Sequence, residues 1–267
     1  MKSLSNYIKK VNWDSHIHLF NASKPLISLY KPLINNCVGF ADIEFNDIDS
    51  YNDHMVELYK KYIENNWNSS QILLATAPTP EEAIEVYKKF PDKIKGFGEL
   101  KLYDEYRGVK INYKKISYAR SICRFSEKNG NLPVYIHYSL ISDDDVTHLK
   151  NLLKDYPSIP IVLCHCGIDN NADNKSFAYY NTINLMNEYS NLWADISYTA
   201  LSFFNDNPFR ILNMKNDRLL IGSDITLKNF TSNHKNPEKH CDGIYKMIDN
   251  ISSYCNFDLN LKRLFGI

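Results

Sequence analysis

Trp13-Asp14-Ser15-His16-Ile17-His18-Leu19 is the stretch on which the reading of this chain turns. Two histidines stand two residues apart at the end of a short, partly apolar run. In a β-strand, residues i and i+2 project from the same face, so His16 and His18 would point together, with Asp14 below them. Two imidazoles on one face, at the C-terminal end of a strand, suit a divalent metal such as zinc. Alone, the pattern is equally a chance His-x-His in a loop. The rest of the chain decides between the two.

Working outward, the opening strand is expected over Val11–His18, and Pro25 and Pro32 interrupt any long helix in the residues that follow. A second strand is placed at Cys37–Phe45 and a helix at 48–66, where Met55, Leu58, Tyr59, Tyr62 and Ile63 recur at helical spacing. Gln71–Ala77 reads as a buried strand, followed by a helix with Thr79 as its N-cap and Pro80 in its first turn. The rhythm then becomes regular. Strands are expected at Ile94–Tyr103, Leu132–His137, Ile159–His165, Asn191–Ser197 and Arg218–Asp224. Helices are expected at 113–129, 142–154, 174–189, 206–214, 238–252 and 258–265. Short strands rich in Ile, Leu and Val that alternate with helices imply parallel βαβ units. Eight of them make a (β/α)8 barrel of the TIM type, in a single domain spanning 1–267. The open doubly wound alternative lacks its glycine-rich dinucleotide turn here.

Composition narrows the function classes. Lys plus Arg equals Asp plus Glu, 31 each, so there is no global field to attract nucleic acid or an anionic membrane. No run is long and apolar enough to span a bilayer, and Met1–Lys10 carries no secretory signal. The six cysteines do not resemble a disulfide framework, so a cytoplasmic protein with reduced thiols is expected. A homo-oligomer is compatible with the sequence.

The informative positions are the ends of the apolar strands. His137 closes PVYIH, His165 closes PIVLCH, Asp224 closes LLIGSD, and His16 and His18 close VNWDSHIH. A barrel carries its reactive groups at the C-terminal ends of its strands, so these residues would meet on one rim as a metal site. Gly96-Phe97-Gly98-Glu99-Leu100-Lys101 adds two charges on one face. Glu99 would bind or bridge metal, or hydrogen-bond a ligand histidine. Lys101 would counter a substrate carboxylate, and a Glu99–Lys101 ion pair is the plain alternative. Cys164 and Cys166 are read as buried apolar residues facing the helices, opposite to His165. Asp195 and Ser197 either reach the site or make structural hydrogen bonds. Tyr138 and Tyr198 follow strand ends and are candidates to line a substrate pocket.

Together, Asp14-Ser15-His16-Ile17-His18, Pro133–His137, Val162–Gly167 and Leu220–Asp224 resemble the amidohydrolase superfamily. The likeness is to its amidohydrolase-related branch of small hydrolases, lactonases and decarboxylases. Asp195-Ile196-Ser197 is similar to that branch's seventh strand and Asn260–Phe265 to its closing helix. The resemblance implies a (β/α)8 barrel holding one or two divalent ions, most often zinc. It implies His16, His18 and Asp224 as metal ligands and His137 as a further one, with His165 either binding a second ion or polarising substrate and water. Where the strict binuclear pattern uses a carboxylated lysine, Glu99 stands here, as in nuclease-like relatives.

The leading expectation is hydrolysis of a small amide, ester, lactone or similar substrate, with Asp224 as general acid and base. Metal-dependent decarboxylation of a small carboxylic acid is the alternative. It needs a cationic clamp, for which Lys101, Arg107, Arg210 and Lys228 are candidates. A barrel that binds metal or ligand without turnover is the third reading. A structural metal site is normally closed by its ligands and has no use for a spare acid or base.

Overall fold

A computed structural model describes residues 11–19, 36–41, 55–102, 105–106, 109–110, 115–168, 175–226 and 237–267. The barrel strands are β1 (Asp14–His18), β2 (Cys37–Phe40), β3 (Gln71–Ala75) and β4 (Ile94–Lys101). They continue with β5 (Val134–His137), β6 (Ile161–Leu163), β7 (Leu192–Ile196) and β8 (Leu219–Ile221). Each pairs in parallel with the next. After Ile221 the eighth strand breaks for three residues and resumes as Ile225–Thr226, which pairs in parallel with β1. Its first half is therefore joined to β7 and its second half to β1, which brings the sheet round into the expected (β/α)8 barrel. Glu105–Tyr106 and Val109–Lys110 form a small antiparallel pair outside it.

The helices are α1 (Met55–Asn65), α2 (Pro80–Lys89), α3 (Lys115–Glu127), α4 (Asp143–Asp155), α5 (Lys175–Glu188), α6 (Thr199–Asp206), α7 (Pro237–Ile251) and α8 (Phe257–Phe265). Local chemistry sets their starts. The Thr79 hydroxyl accepts from the backbone N–H of Glu82, with Pro80 in the first turn, and Ser142 does the same for Asp145. Strand alternation divides the apolar residues into two cores. Val38, Phe40, Ile72, Leu74, Tyr135, Val162, Trp193 and Leu220 fill the barrel, plugged at the N-terminal end of the strands by Leu261 and Leu264 of α8. The opposite faces of the same strands pack against the helices.

Several boundaries differ from expectation besides the break in the eighth strand. Pro208 divides the expected helix 206–214 into α6, which starts seven residues earlier, and a 3-10 turn at Pro208–Asn213. The apolar spacing of Ala200, Leu201, Phe203 and Phe204 already marks α6 as a buried helix. β6 stops at Leu163, and Cys164–Gly167 turns sharply, with His165 and Cys166 in the left-handed region. β1 begins at Asp14 and not at Val11. Residues 42–54 of the expected second strand and first helix lie outside the described residues, as do the clamp candidates Arg107 and Lys228 and, in the loops expected to shape a pocket, Phe20, Tyr30, Asn229, Phe230 and His234.

Candidate metal centre

The rim residues meet, but the route by which each arrives is not simple alternation. β1 slips register against β2 between Asp14 and Ile17, which marks a bulge. Ser15 and His16 consequently both reach the same interior carboxylate: Ser15 Oγ lies 3.0 Å from Asp195 Oδ1 and His16 Nδ1 lies 2.7 Å from Asp195 Oδ2. Asp14 is turned the other way, its Oδ2 accepting from Tyr245 of α7 at 3.3 Å. It is not stacked below the histidines. Its Oδ1 accepts from the backbone N–H groups of His16 (3.0 Å) and Ser223 (2.9 Å), tying β1 to the break in the eighth strand. Burial pushes this carboxyl up to about 6, against the pull of those hydrogen bonds.

The break itself aims Asp224. With φ at 54°, Asp224 turns back over β1, its N–H donating to His16 O at 2.8 Å. Its Oδ1 lies 3.1 Å from His18 Nε2 and 3.3 Å from His16 Nε2, and its Oδ2 lies 4.0 Å from His165 Nε2. Burial opposes its ionisation, but the surrounding imidazoles of His16, His18 and His165 win and hold it well below the usual carboxylate range.

Glu99 stands at the middle. β4 shifts register against β5 between Phe97 and Leu100, and Gly98 approaches so closely that a Cβ there would lie 2.6 Å from Tyr135 O. Glu99 Oε1 accepts from His137 Nδ1 at 2.6 Å and lies 3.4 Å from His165 Nε2. Its Oε2 lies 3.6 Å from His18 Nε2 and 3.8 Å from Lys101 Nζ. Burial again opposes the charge, while His137 and Lys101 hold the carboxyl well down. Both readings of Glu99 thus find support in one place, next to a histidine and next to the lysine.

His165 enters the barrel through its left-handed turn, at φ 54° and ψ 23°. A continuing strand would have sent it outwards and kept Cys164 inwards with Val162. Cys164 does lie in the inner core, whereas Cys166 lies in the outer one; the expectation that both cysteines face the helices holds for Cys166 alone. Burial pushes both thiols up, which leaves them protonated and apolar in behaviour. His165 Nδ1 lies 2.8 Å from Ser197 Oγ, and Ser197 donates to Asp195 Oδ2 at 2.6 Å. Asp195 and Ser197 therefore bind the backs of His16 and His165.

Among the described residues three groups of potential ligand atoms result, each within 4.8 Å: His16, His18 and Asp224; His16, Glu99 and His165; and His16, Cys164 and Asp195. His137 joins none of them; its Nδ1 lies against Glu99. His16 Nε2 and His165 Nε2 are fully buried and, among the described residues, make no hydrogen bond of good geometry. Two buried imidazole nitrogens that face two ionised carboxylates make a donor set that could hold a cation.

The remaining candidates separate. Tyr198, half-exposed, sets its ring edge-on to His165 at 6.0 Å and lies at the rim. Tyr138 does not: it is buried in the outer core, donating to Asp145 at 3.2 Å, because the residue after His137 falls on the helix-facing side. Arg210 is no clamp at the rim, since it donates to Phe203 O at 2.6 Å and stacks on the Phe203 ring. Ser15, Ser223 and Tyr245 were not legible from sequence. Ser15 needs the bulge, and the other two act through contacts more than 200 residues away along the chain.

No family model and no curated protein sequence matches the chain. Among solved structures it is similar to dihydroorotase from Campylobacter jejuni, with a TM-score of 0.54 and 14% identity over 96% of this chain and 83% of that one. A TatD family hydrolase from Entamoeba histolytica gives 0.53 and 13%, covering 94% and 98%. The 5-carboxyvanillate decarboxylase from Novosphingobium aromaticivorans, complexed with manganese, gives 0.51 and 14%, covering 92% and 80%. The chain has the barrel fold of these enzymes. It is the fold that the amidohydrolase resemblance implied, and at such identities the likeness is one of fold.

Proposed function

We propose that the chain is a metal-dependent hydrolase of the amidohydrolase superfamily, acting on a small amide, ester, lactone or similar molecule. The observation that carries this reading is the pair of buried, unpartnered Nε2 atoms of His16 and His165 aimed at Glu99 and Asp224. Burying such atoms without a partner is costly, and a divalent cation would satisfy the nitrogens and the carboxylate charge together. His16, His18 and Asp224 would hold it, with Glu99 and His165 completing or sharing the set. His137 would join if its bond to Glu99 yields. Imidazole and carboxylate donors suit zinc, and manganese where oxygen donors dominate. When bound, such an ion brings the pKa of water towards ~7 and polarises a carbonyl oxygen.

The chain's own groups do the rest. Asp224 is an anion throughout the neutral range, so its Oδ2, on the side away from His18, takes a proton from the attacking water and returns it to the leaving group. Lys101 and Tyr198 stand on the rim where substrate enters, the lysine offering charge and the tyrosine an aromatic edge. Elemental analysis of protein purified without chelator should find a divalent metal, and chelation should abolish activity against a panel of amides, esters and lactones. Asp224→Asn should keep metal while turnover falls by roughly 10²–10⁴-fold. Metal-free protein that takes up no zinc or manganese would sink the proposal, and carbon dioxide release in place of hydrolysis would move it to the decarboxylases.

A further inference from the structure

Resting on that reading, we infer that Asp195 and Ser197 form one relay that fixes the tautomers of His16 and His165 together, so that both present an Nε2 lone pair to the centre. The argument is one of hydrogen-bond direction. A carboxylate only accepts. Ser197 Oγ, 2.6 Å from Asp195 Oδ2, must therefore spend its single proton on that oxygen. Towards His165 Nδ1, 2.8 Å away, the hydroxyl can then only accept, so the proton of that bond sits on Nδ1. His16 Nδ1, 2.7 Å from the same Oδ2, must also be the donor. One carboxylate oxygen thus orders two imidazoles, directly on β1 and, through the Ser197 hydroxyl that follows β7, in the turn after β6. Both polar residues of the relay, Asp195 and Ser197, are buried, so water does not scramble the polarity.

The free Nε2 atoms of the same two histidines are the ones left without hydrogen bonds, which is what this ordering requires. The relay also narrows what His165 does. A neutral imidazole protonated at Nδ1 accepts at Nε2, so His165 serves as a cation ligand or as an acceptor of a proton. While neutral, it does not donate a hydrogen bond to a substrate oxygen. Asp195 and Ser197 are positioning residues in this account, acting only through the two histidines.

Ser15 supplies the control. It donates to the other oxygen of Asp195 at 3.0 Å but stands behind no centre-facing imidazole. The test uses the full chain labelled with ¹⁵N at histidine, first metal-free at a pH where the imidazoles are neutral, then titrated with zinc. In the parent protein His16 and His165 should both show the Nδ1–H signature. Ser197→Ala should move His165 to a mixed or Nε2–H state, spare His16, and weaken zinc binding about tenfold, whereas Ser15→Ala should keep both signatures and bind zinc within about twofold of the parent. A His165 carrying its proton on Nε2 in the parent protein overturns the relay, and so do equal losses from Ser15→Ala and Ser197→Ala. Should Ser197→Ala fail to fold, the parent signature alone decides. A parent protein with the Nδ1–H signature but no zinc binding would sink the metal reading and leave the relay standing.

Discussion

Gly222 sits where the barrel closes most tightly, and adding one methyl group there tests both the closure and its link to the site. A Cβ on Gly222 would lie 2.5 Å from His16 Cβ, 2.6 Å from His16 N and 3.0 Å from His16 Cα. Carbon atoms pack best at about 3.5–4.0 Å, so Gly222→Ala demands that β1 and the break in the eighth strand part by about 1 Å. Two of the three obstructing atoms are backbone, and no rotamer change relieves them. Overpacking of this kind costs roughly 1–3 kcal/mol, and 1 kcal/mol moves Tm by about 2–4 °C in a chain of this size, so the expected fall is roughly 2–12 °C. The displacement also separates the groups that this seam juxtaposes. Asp224 N donates to His16 O at 2.8 Å, and Asp224 Oδ1 stands 3.3 Å from His16 Nε2. Zinc affinity should therefore fall by about tenfold or more, as it does when the support of a metal ligand is disturbed. Thermal denaturation of the metal-free variant and zinc calorimetry measure the two effects separately. An unchanged Tm would refute the closeness of the seam; a lowered Tm with unchanged affinity would refute its role in joining His16 to Asp224.

Asp14→Ala deprives the buried N–H groups of His16 and Ser223 of their acceptor and should cost roughly 2–5 kcal/mol in urea denaturation. Asp14→Asn keeps an oxygen for both. The folded carboxyl, pushed up to about 6 from the ordinary 3.8, binds its proton more tightly in the native state, so parental stability falls as pH rises through that interval. The asparagine variant escapes that loss, and its stability relative to the parent should rise with pH; a pH-independent difference would contradict the burial argument. Arg218 donates to the carbonyls of Met186, Tyr189 and Leu192 at 2.6, 2.7 and 2.8 Å, closing the C-terminal end of α5. Arg218→Met should cost roughly 2–4 kcal/mol and leave zinc affinity unaltered, because this residue enters β8 at the end of the barrel remote from the rim. A change in affinity would show that the two ends of the strand are coupled.

Much of this architecture is legible in the order of residues. PVYIH, PIVLCH and LLIGSD each set an apolar run before a polar residue, and a parallel strand buried on both faces leaves only its end for such a residue. That is why His137, His165 and Asp224 could be taken as neighbours although the chain places them far apart. Asp195-Ile196-Ser197 obeys the same rule, and only the structure shows what its polar residues grip. The helix boundaries that matter were also visible, in Thr79-Pro80 and in Ser142 before three aspartates.

What could not be read lies where strand regularity stops. Alternation assigns a face only while the ladder is unbroken, and the site is built from its breaks. The β1 bulge sends Ser15 and His16 to one carboxylate and Asp14 to α7; alternation would have grouped Asp14 with the histidines. The turn after Leu163 carries His165 inwards, when a longer strand would have buried it among helices. Tyr138 erred the other way, since it follows a strand that stays regular and so falls outside. His165, Tyr198 and Asp224, three of the residues nearest the proposed centre, all hold positive φ without being glycine. Such conformations cost of order 1–3 kcal/mol each and persist only where surrounding contacts over-determine them. Here those contacts are the Ser197 bond to His165 and the His16 carbonyl under Asp224, the same interactions that aim the side chains. The positions where local sequence rules fail are thus the positions at which the barrel ends commit their backbone to the centre.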